Sequence, residues 1–262
     1  MRLLYTIIAL LIVVASNAQD TSLYKAHVFR KGSDTLNYRI MYPPRYDVNK
    51  KYPVILFLHG AGERGNDNQK QLIHGAKLFA DSLNRAKYPA FVIFPQCPEG
   101  KTWATLKRET IPGADSLGKF MFIDAARPGK PLELVINLID SIAATPQIDT
   151  KKIYVGGLSM GGMGTFEILW RKPAFFAAAM PICGGGDPAK TTTYGKNFPI
   201  WVFHGESDKV VPVSNSRLMV NSLRAAGAQV KYSEYPGVGH DSWTNAFAEP
   251  QLLEWLFDQK RR

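Results

Sequence analysis

Gly157-Leu158-Ser159-Met160-Gly161 stands between two segments of different periodicity. The residues before it, Ile153-Tyr154-Val155, are β-branched or aromatic and predict a short strand. The residues after it, 162–170, have the pattern of a helix. A strand, a Gly-x-Ser-x-Gly turn and a helix form a nucleophile elbow, in which glycines relieve the crowding around a sharply turned serine. The motif makes Ser159 the candidate nucleophile, and a flexible glycine loop after a strand is the alternative interpretation.

Apolar strands alternate with amphipathic helices through the rest of the chain. We expect strands at 26–30, 36–42, 52–58, 90–94, 153–157, 177–182, 200–204 and 230–235. We expect helices at 69–83, 132–144, 161–171, 214–226 and 251–260. The long polar segment 95–130 is either functional or partly structured. This pattern predicts a mostly parallel sheet covered by helices on both faces, with ligands bound beyond the carboxyl ends of the strands.

The first 18 residues have the composition of a secretory signal peptide. Arg2 supplies the positive charge, residues 3–14 the apolar stretch, and Ala15-Ser16-Asn17-Ala18 the small-residue cleavage region. A retained N-terminal anchor is the alternative, and no other segment approaches the length of a membrane span. We therefore expect a secreted or periplasmic protein whose residues 19–262 form one catalytic domain, with no stable membrane span once the signal is removed.

The formal net charge of +10 comes from scattered lysines and arginines. Because no basic helix or aromatic-studded basic strand is present, nucleic acid is not an expected partner, whereas acidic polysaccharide or an anionic surface stays open. The spacings typical of metal sites are missing from the sequence, so we expect no metal. The loop at 60–65 spells Gly-x-Gly-x-x-Gly, but no helix opens directly from it, so we expect no nucleotide cofactor.

A serine nucleophile needs a base within hydrogen-bond reach, and that base needs an acid to orient it. His240 follows the last predicted strand and is flanked by flexible glycine positions, which makes it the candidate base. Asp208 follows the strand at 200–204 and is the candidate acid, with a turn or helix cap as its alternative role. Glu206 and Asp187 are the rival carboxylates.

An oxyanion hole needs two backbone N–H groups aimed at the developing negative charge. We expect one from Met160, the residue after the nucleophile, and the other from Ala61 in the loop after the strand at 52–58, with Gly62 as its alternative. An ordinary glycine turn is the competing interpretation of that loop. Gly62, Trp103 and Trp243 are candidates for the substrate pocket, although the two tryptophans fit a packing role equally well.

Five motifs in this order resemble the α/β-hydrolase superfamily, and within it the secreted phospholipase/carboxylesterase and dienelactone-hydrolase-like esterases, some of which are labelled predicted peptidases. The motifs are residues 59–65, 95–98, 157–162, 181–185 and 239–243. The resemblance implies an α/β-hydrolase fold with a twisted, mostly parallel sheet of about eight strands. It also implies Ser159, Asp208 and His240 as the catalytic triad, and ester hydrolysis without a cofactor.

Two cysteines, Cys97 and Cys183, follow predicted strands. The strand order of the superfamily would place those strands three positions apart, about 14 Å. A disulfide needs Cα atoms within about 7 Å, so we expect two separate thiols.

The sequence is therefore consistent with a secreted serine carboxylesterase acting on a small-molecule or polysaccharide-linked ester. Aromatic residues near the expected site favour an acetyl or feruloyl group on plant polysaccharide. A peptidase of the prolyl-oligopeptidase type is one alternative, and a non-catalytic carbohydrate-binding protein on a hydrolase scaffold is another.

Overall fold

The chain contains ten strands and seven α-helices in the residues that the computed structural model describes, 21–109 and 119–261. The strands are β1 (Tyr24–Lys31), β2 (Asp34–Met41), β3 (Tyr52–Leu58), β4 (Phe91–Pro95), β5 (Leu106–Glu109), β6 (Lys119–Phe122), β7 (Ile148–Leu158), β8 (Ala178–Ile182), β9 (Pro199–Gly205) and β10 (Gln229–Tyr235). The helices are α1 (Ala76–Ala80), α2 (Ser82–Lys87), α3 (Lys130–Ala143), α4 (Met160–Arg171), α5 (Ser214–Ala225), α6 (Trp243–Phe247) and α7 (Leu252–Asp258). The predicted signal peptide at 1–18 lies outside the described residues.

Eight of these strands form one sheet in the order β1-β2-β4-β3-β7-β8-β9-β10. The six strands from β4 to β10 in this order are parallel, while β2 runs antiparallel to both β1 and β4. Because parallel strands share a direction, the carboxyl ends of β3, β7, β9 and β10 meet at one edge of the sheet. The expected α/β-hydrolase fold is confirmed.

Each face of the sheet has its own hydrophobic core. Buried residues of α3, α4 and α5 pack with one set of strand side chains, among them Val135, Phe166 and Met219. Buried residues of α1, α6 and α7 pack with the other set, among them Phe79, Ala246 and Leu256. Helices therefore cover both faces, and the central strands are buried on both sides, as their continuous apolar sequences predict. None of the helices in the described ranges is long and apolar enough to cross a bilayer.

The predicted helix at 69–83 is wrong, because the chain there forms a 3-10 turn at Lys70–Leu72 followed by α1 and α2. Gly75 has φ +85°, a left-handed conformation at the residue that precedes α1, so the helix cannot continue back through it. Asp81 then separates α1 from α2, since its side chain accepts the N–H groups of Leu83 and Asn84 and caps the second helix. Leu72, Ala76 and Phe79 are buried as the spacing predicts, whereas Ile73 and Leu83 are exposed.

The long segment 95–130 is partly structured, which was one of the two expectations. Strands β5 and β6 pair antiparallel within it as a separate two-stranded sheet. Cys97 and Cys183 are both buried free thiols, and β4 and β8 are three positions apart in the sheet. The prediction of two separate thiols is confirmed.

Candidate active site

Ser159 occupies a sharp turn between the end of β7 and the start of α4. Its φ of 53° and ψ of −115° place a non-glycine residue in a strained region of backbone space. The flanking glycines are required by close backbone approach, because a Cβ atom at Gly161 would collide with the carbonyl oxygen of Leu58. A Cβ at Gly157 would in turn meet the carbonyl group of Gly161. The elbow is thus pressed against the end of β3.

His240 lies between the side chains of Ser159 and Asp208. Its Nδ1 is 2.7 Å from Asp208 Oδ2, and its Nε2 is 3.0 Å from Ser159 Oγ. Because a carboxylate only accepts, Nδ1 carries the proton and donates to Asp208, which leaves Nε2 free to accept from the serine hydroxyl. Three residues from the ends of β7, β9 and β10 therefore form one continuous chain of hydrogen bonds.

Asp208 is anchored through both of its carboxylate oxygens. Oδ1 accepts the backbone N–H groups of Val210 and Val211 at 2.8 and 2.9 Å, while Oδ2 receives His240 and lies 3.2 Å from His204 Nε2. Burial by itself would raise the pKa of Asp208, but the hydrogen bonds from His204, His240 and Val211 outweigh it and hold the pKa below its usual range. The carboxylate therefore stays ionised beside His240.

The two rival carboxylates have other partners. Glu206 is exposed and accepts the backbone N–H of Gly237 at 3.0 Å. Asp187 caps a short 3-10 turn by accepting the N–H of Ala189 at 3.0 Å. Their positions favour Asp208 as the acid that orients His240.

The two expected oxyanion donors each lie at the N-terminus of a helical element. Met160 is the first residue of α4, and Ala61 is the first residue of a 3-10 turn at Ala61–Glu63, so neither N–H has an acceptor inside its own helix. The close approach of Gly161 to the backbone of Leu58 brings the two elements together. Gly62 is exposed, and no described atom lies within 4 Å of the position that a Cβ would occupy there.

The loop that carries Ala61 is stabilised by hydrogen bonds of His59. His59 Nε2 accepts the N–H of Cys97 at 2.9 Å, and Nδ1 donates to the carbonyl oxygen of Gly60 at 2.6 Å. Burial lowers the pKa of His59 to about 4, so the ring is neutral, as these two bonds require. A rigid, uncharged support therefore lies beneath the oxyanion loop.

The two tryptophans occupy different environments. Trp103 is fully buried, donates its Nε1–H to the carbonyl oxygen of His59 at 3.0 Å, and packs so tightly that Gly164 has no room for a side chain. These contacts support the packing alternative for Trp103. Trp243 is partly exposed, and its ring centroid is 5.4 Å from that of His240. Trp243 therefore remains a candidate for the pocket.

His204 is a site residue that the sequence reasoning missed. It is fully buried, its Nε2 faces both Asp208 and the carbonyl oxygen of Val211, and its Nδ1 lies 2.7 Å from Ser216 Oγ. Both groups facing Nε2 are acceptors, so this nitrogen carries a proton and supports the carboxylate. The sequence feature that points to His204 is a polar residue at the end of a buried strand, four positions before Asp208.

Cys183 lies behind the same hydrogen-bonded chain. One ligand atom each from Cys183, Asp208 and His240 lie within 4.8 Å of one another, an arrangement that could hold a metal ion. Burial raises the pKa of the Cys183 thiol, which keeps it protonated. A metal there would also compete with the hydrogen bond between His240 and Asp208, so the geometry fits the hydrogen-bonded chain better than a metal centre.

A family model and a solved structure each match most of this chain. A model of the phospholipase/carboxylesterase family matches residues 47–251. A solved thermostable esterase is 38% identical, with a TM-score of 0.80, and the match covers 92% of this chain and 64% of that one.

Two curated relatives match over shorter segments. Acyl-protein thioesterase 1 of Gibberella zeae is 36% identical over 56 residues, which cover 21% of this chain and 24% of the thioesterase. The bifunctional acetylxylan esterase/xylanase XynS20E of Neocallimastix patriciarum is 33% identical over 82 residues, which cover 31% of this chain and 12% of that protein. The aligned segments span about a quarter or less of these two relatives.

Proposed function

The chain belongs to the phospholipase/carboxylesterase family, and from this premise we propose that it is a serine hydrolase that cleaves carboxylic esters through Ser159, His240 and Asp208. The observation that carries the proposal is the continuous hydrogen-bonded chain from Ser159 Oγ through the His240 ring to Asp208. His240 Nε2, 3.0 Å from the hydroxyl oxygen of Ser159, is placed to remove its proton during attack.

The reaction proceeds through an acyl-enzyme. As Ser159 Oγ attacks the ester carbonyl carbon, His240 Nε2 takes the hydroxyl proton and Asp208 stabilises the resulting imidazolium. The carbonyl oxygen becomes an oxyanion, which the N–H groups of Met160 and Ala61 bind. When the bond to the alcohol oxygen breaks, His240 returns the proton to that oxygen and the alcohol leaves. Water then attacks the acyl-serine with the same assistance, which releases the acid and restores Ser159.

An ester on a polysaccharide is the substrate class that we favour. One support is the local match to an acetylxylan esterase/xylanase. The other is the partly exposed Trp243 beside His240, whose aromatic surface is suited to packing against a sugar ring. A peptidase of the prolyl-oligopeptidase type uses the same residues and is the second candidate. The assembled hydrogen-bonded chain argues against a non-catalytic carbohydrate-binding protein, because carbohydrate binding does not require an activated serine.

A substrate panel separates these candidates. With p-nitrophenyl acetate, acetylated xylan, methyl ferulate and a peptide anilide, we expect hydrolysis of the esters, with kcat/KM for the anilide at least about 100-fold below that for p-nitrophenyl acetate. The reason is that an amine is a far poorer leaving group than an alcohol, and the described site offers no evident device for holding a peptide. A higher kcat/KM on the anilide than on every ester would instead establish the peptidase.

We also propose that the protein is exported, on the evidence of the charged start, apolar stretch and small-residue region of residues 1–18. The expected product is a mature chain that begins at Gln19 in the medium or periplasm. N-terminal sequencing of the protein recovered from those fractions tests this, and an unprocessed Met1 start in the membrane fraction would contradict it.

A further inference from the structure

Trp243 contacts two imidazole rings. Its ring centroid is 5.4 Å from that of His240, with the planes nearly perpendicular at 85°. It is also 5.1 Å from the ring of His74, with the planes inclined at 47°. A second histidine, which the reaction described above does not use, therefore shares an indole neighbour with the proposed base.

His74 has its own acidic neighbour. Its Nε2 is 3.7 Å from Glu63 Oε1, while about a third of the His74 side chain is exposed. Glu63 is only 7% exposed and closes the short turn that begins at Ala61. Its other oxygen, Oε2, is buried, makes no hydrogen bond within the described residues, and lies where a side chain on Gly60 would have to go. The carboxylate is thus held under the oxyanion loop, facing His74.

The segments that carry these side chains are locked together. Next to His74, Gly75 adopts φ +85° and is so tightly enclosed that a Cβ would lie 3.1 Å from Phe247 and 3.3 Å from Phe57. Phe247 belongs to α6, the helix that begins with Trp243, and its ring packs 5.8 Å from that of Phe57 on β3. The relative placement of His74 and Trp243 is therefore set before any substrate arrives, which lowers the cost of binding.

The chemistry fixes which part of the ester this surface faces. His240 must deliver its proton to the alcohol oxygen, so the leaving alcohol has to lie within hydrogen-bond reach of Nε2. Trp243 packs against that imidazole, and His74 packs against Trp243. The partly exposed side chains of Trp243 and His74 therefore form a surface next to the imidazole that protonates the alcohol.

We propose that Glu63, His74 and Trp243 form a wall that binds the alcohol part of the substrate and selects a sugar ring there. This rests on the proposed ester hydrolysis. An indole offers an apolar surface to the carbon-bound hydrogens of a sugar, and an imidazole both donates and accepts hydrogen bonds with its hydroxyls. Glu63 is a positioning residue, whose carboxylate lies 3.7 Å from Nε2 of His74 and orients the ring by charge.

The test compares three acetate esters that differ only in the alcohol: methyl 2-O-acetyl-β-D-xylopyranoside, cyclohexyl acetate and ethyl acetate. For His74→Ala we expect KM for the sugar ester to rise about tenfold with kcat nearly unchanged, as for the loss of a hydrogen bond made equally in the ground and transition states. KM for cyclohexyl acetate, a ring without further hydroxyls, should change by less than about twofold. His74→Gln, which keeps a hydrogen-bonding group, should restore part of the loss, and Glu63→Gln should shift KM in the same direction as His74→Ala.

The matched control is His27→Ala. His27 is an exposed histidine on β1 whose ring stacks on Tyr38 at 5.4 Å, at the far edge of the sheet, and its removal should leave all three esters unaffected. Equal loss on all three esters in both His74→Ala and Glu63→Gln would mean a merely structural role and would overturn the inference. So would wild-type enzyme that hydrolyses ethyl acetate but shows no preference for the sugar ester. If wild-type enzyme hydrolyses no ester at all, the proposed function itself fails.

Discussion

Ser159→Ala is expected to lower kcat for ester hydrolysis about 10⁶-fold, close to the full contribution of the catalytic residues acting as a unit. The variant has no atom that can form the acyl-enzyme. Without the hydroxyl group, His240 and Asp208 have no nucleophile to activate. The oxyanion donors survive, and they should leave a residual acceleration of about 10³–10⁴ over water. Steady-state kinetics on p-nitrophenyl acetate, with enzyme concentrated enough to detect the residual rate, measures this.

The fold of this variant should be intact, because alanine keeps the Cβ of serine and so tolerates the same backbone conformation. Ser141→Ala is the matched control, since Ser141 is an exposed serine on α3, away from the hydrogen-bonded chain. An unchanged kcat in Ser159→Ala, with the variant shown to be folded by circular dichroism, would refute the assignment of the nucleophile.

Asp208→Asn is expected to lower kcat about 10⁴-fold while leaving KM nearly unchanged and the chain folded, since His204 Nε2–H loses Asp208 as an acceptor but keeps the carbonyl oxygen of Val211. The reason is the way in which this side chain is anchored. Oδ1 accepts two backbone N–H groups, so the amide oxygen of an asparagine must take that place and its NH₂ group must face His240. His240 Nδ1 would then accept instead of donate, the ring proton would move to Nε2, and that nitrogen could no longer take the proton of Ser159.

Asp241→Asn separates this effect from a general loss of negative charge, because Asp241 is exposed and adjacent to His240 in sequence. It should retain activity within about twofold of the wild type. A small effect of Asp208→Asn, comparable with that of Asp241→Asn, would show that another group orients the base.

The fold was predictable where local sequence and burial agree. Continuous apolar runs such as Tyr52–Leu58 identify strands buried on both faces, and the glycines around Ser159 identify the turn. The helix predicted at 69–83 failed because apolar spacing continues through Gly75 and Asp81, whose backbone conformation and capping break the helix. In this segment the apolar spacing marks only part of the buried face, since Ile73 and Leu83 are exposed, and the ends of helices depend on single residues.

The hydrogen-bonded chain of the site was predictable for a similar reason, since its three members each follow a strand of the parallel sheet. The residues that support this hydrogen-bonded chain were not predictable from the sequence. His204 and Glu63 act through neighbours that are near in the sequence, Asp208 and His74, but the side-chain directions that bring these pairs together become visible only in the folded chain. Trp103 is the opposite case, a pocket candidate that lies in the core. The sequence around an aromatic residue in a long loop does not indicate whether the residue lines a cleft or packs in the core.

The central claim is that Ser159 becomes acylated during turnover, and trapping that intermediate tests it most directly. The enzyme is mixed with excess p-nitrophenyl acetate, quenched in acid within the first turnovers, digested and analysed by mass spectrometry. The account predicts one acetyl group on the peptide that contains Ser159, lost on further incubation before the quench and absent from Ser159→Ala. A burst of p-nitrophenol with the acetyl group on a different residue, or ester turnover with Ser159 unmodified at every time point, would contradict it.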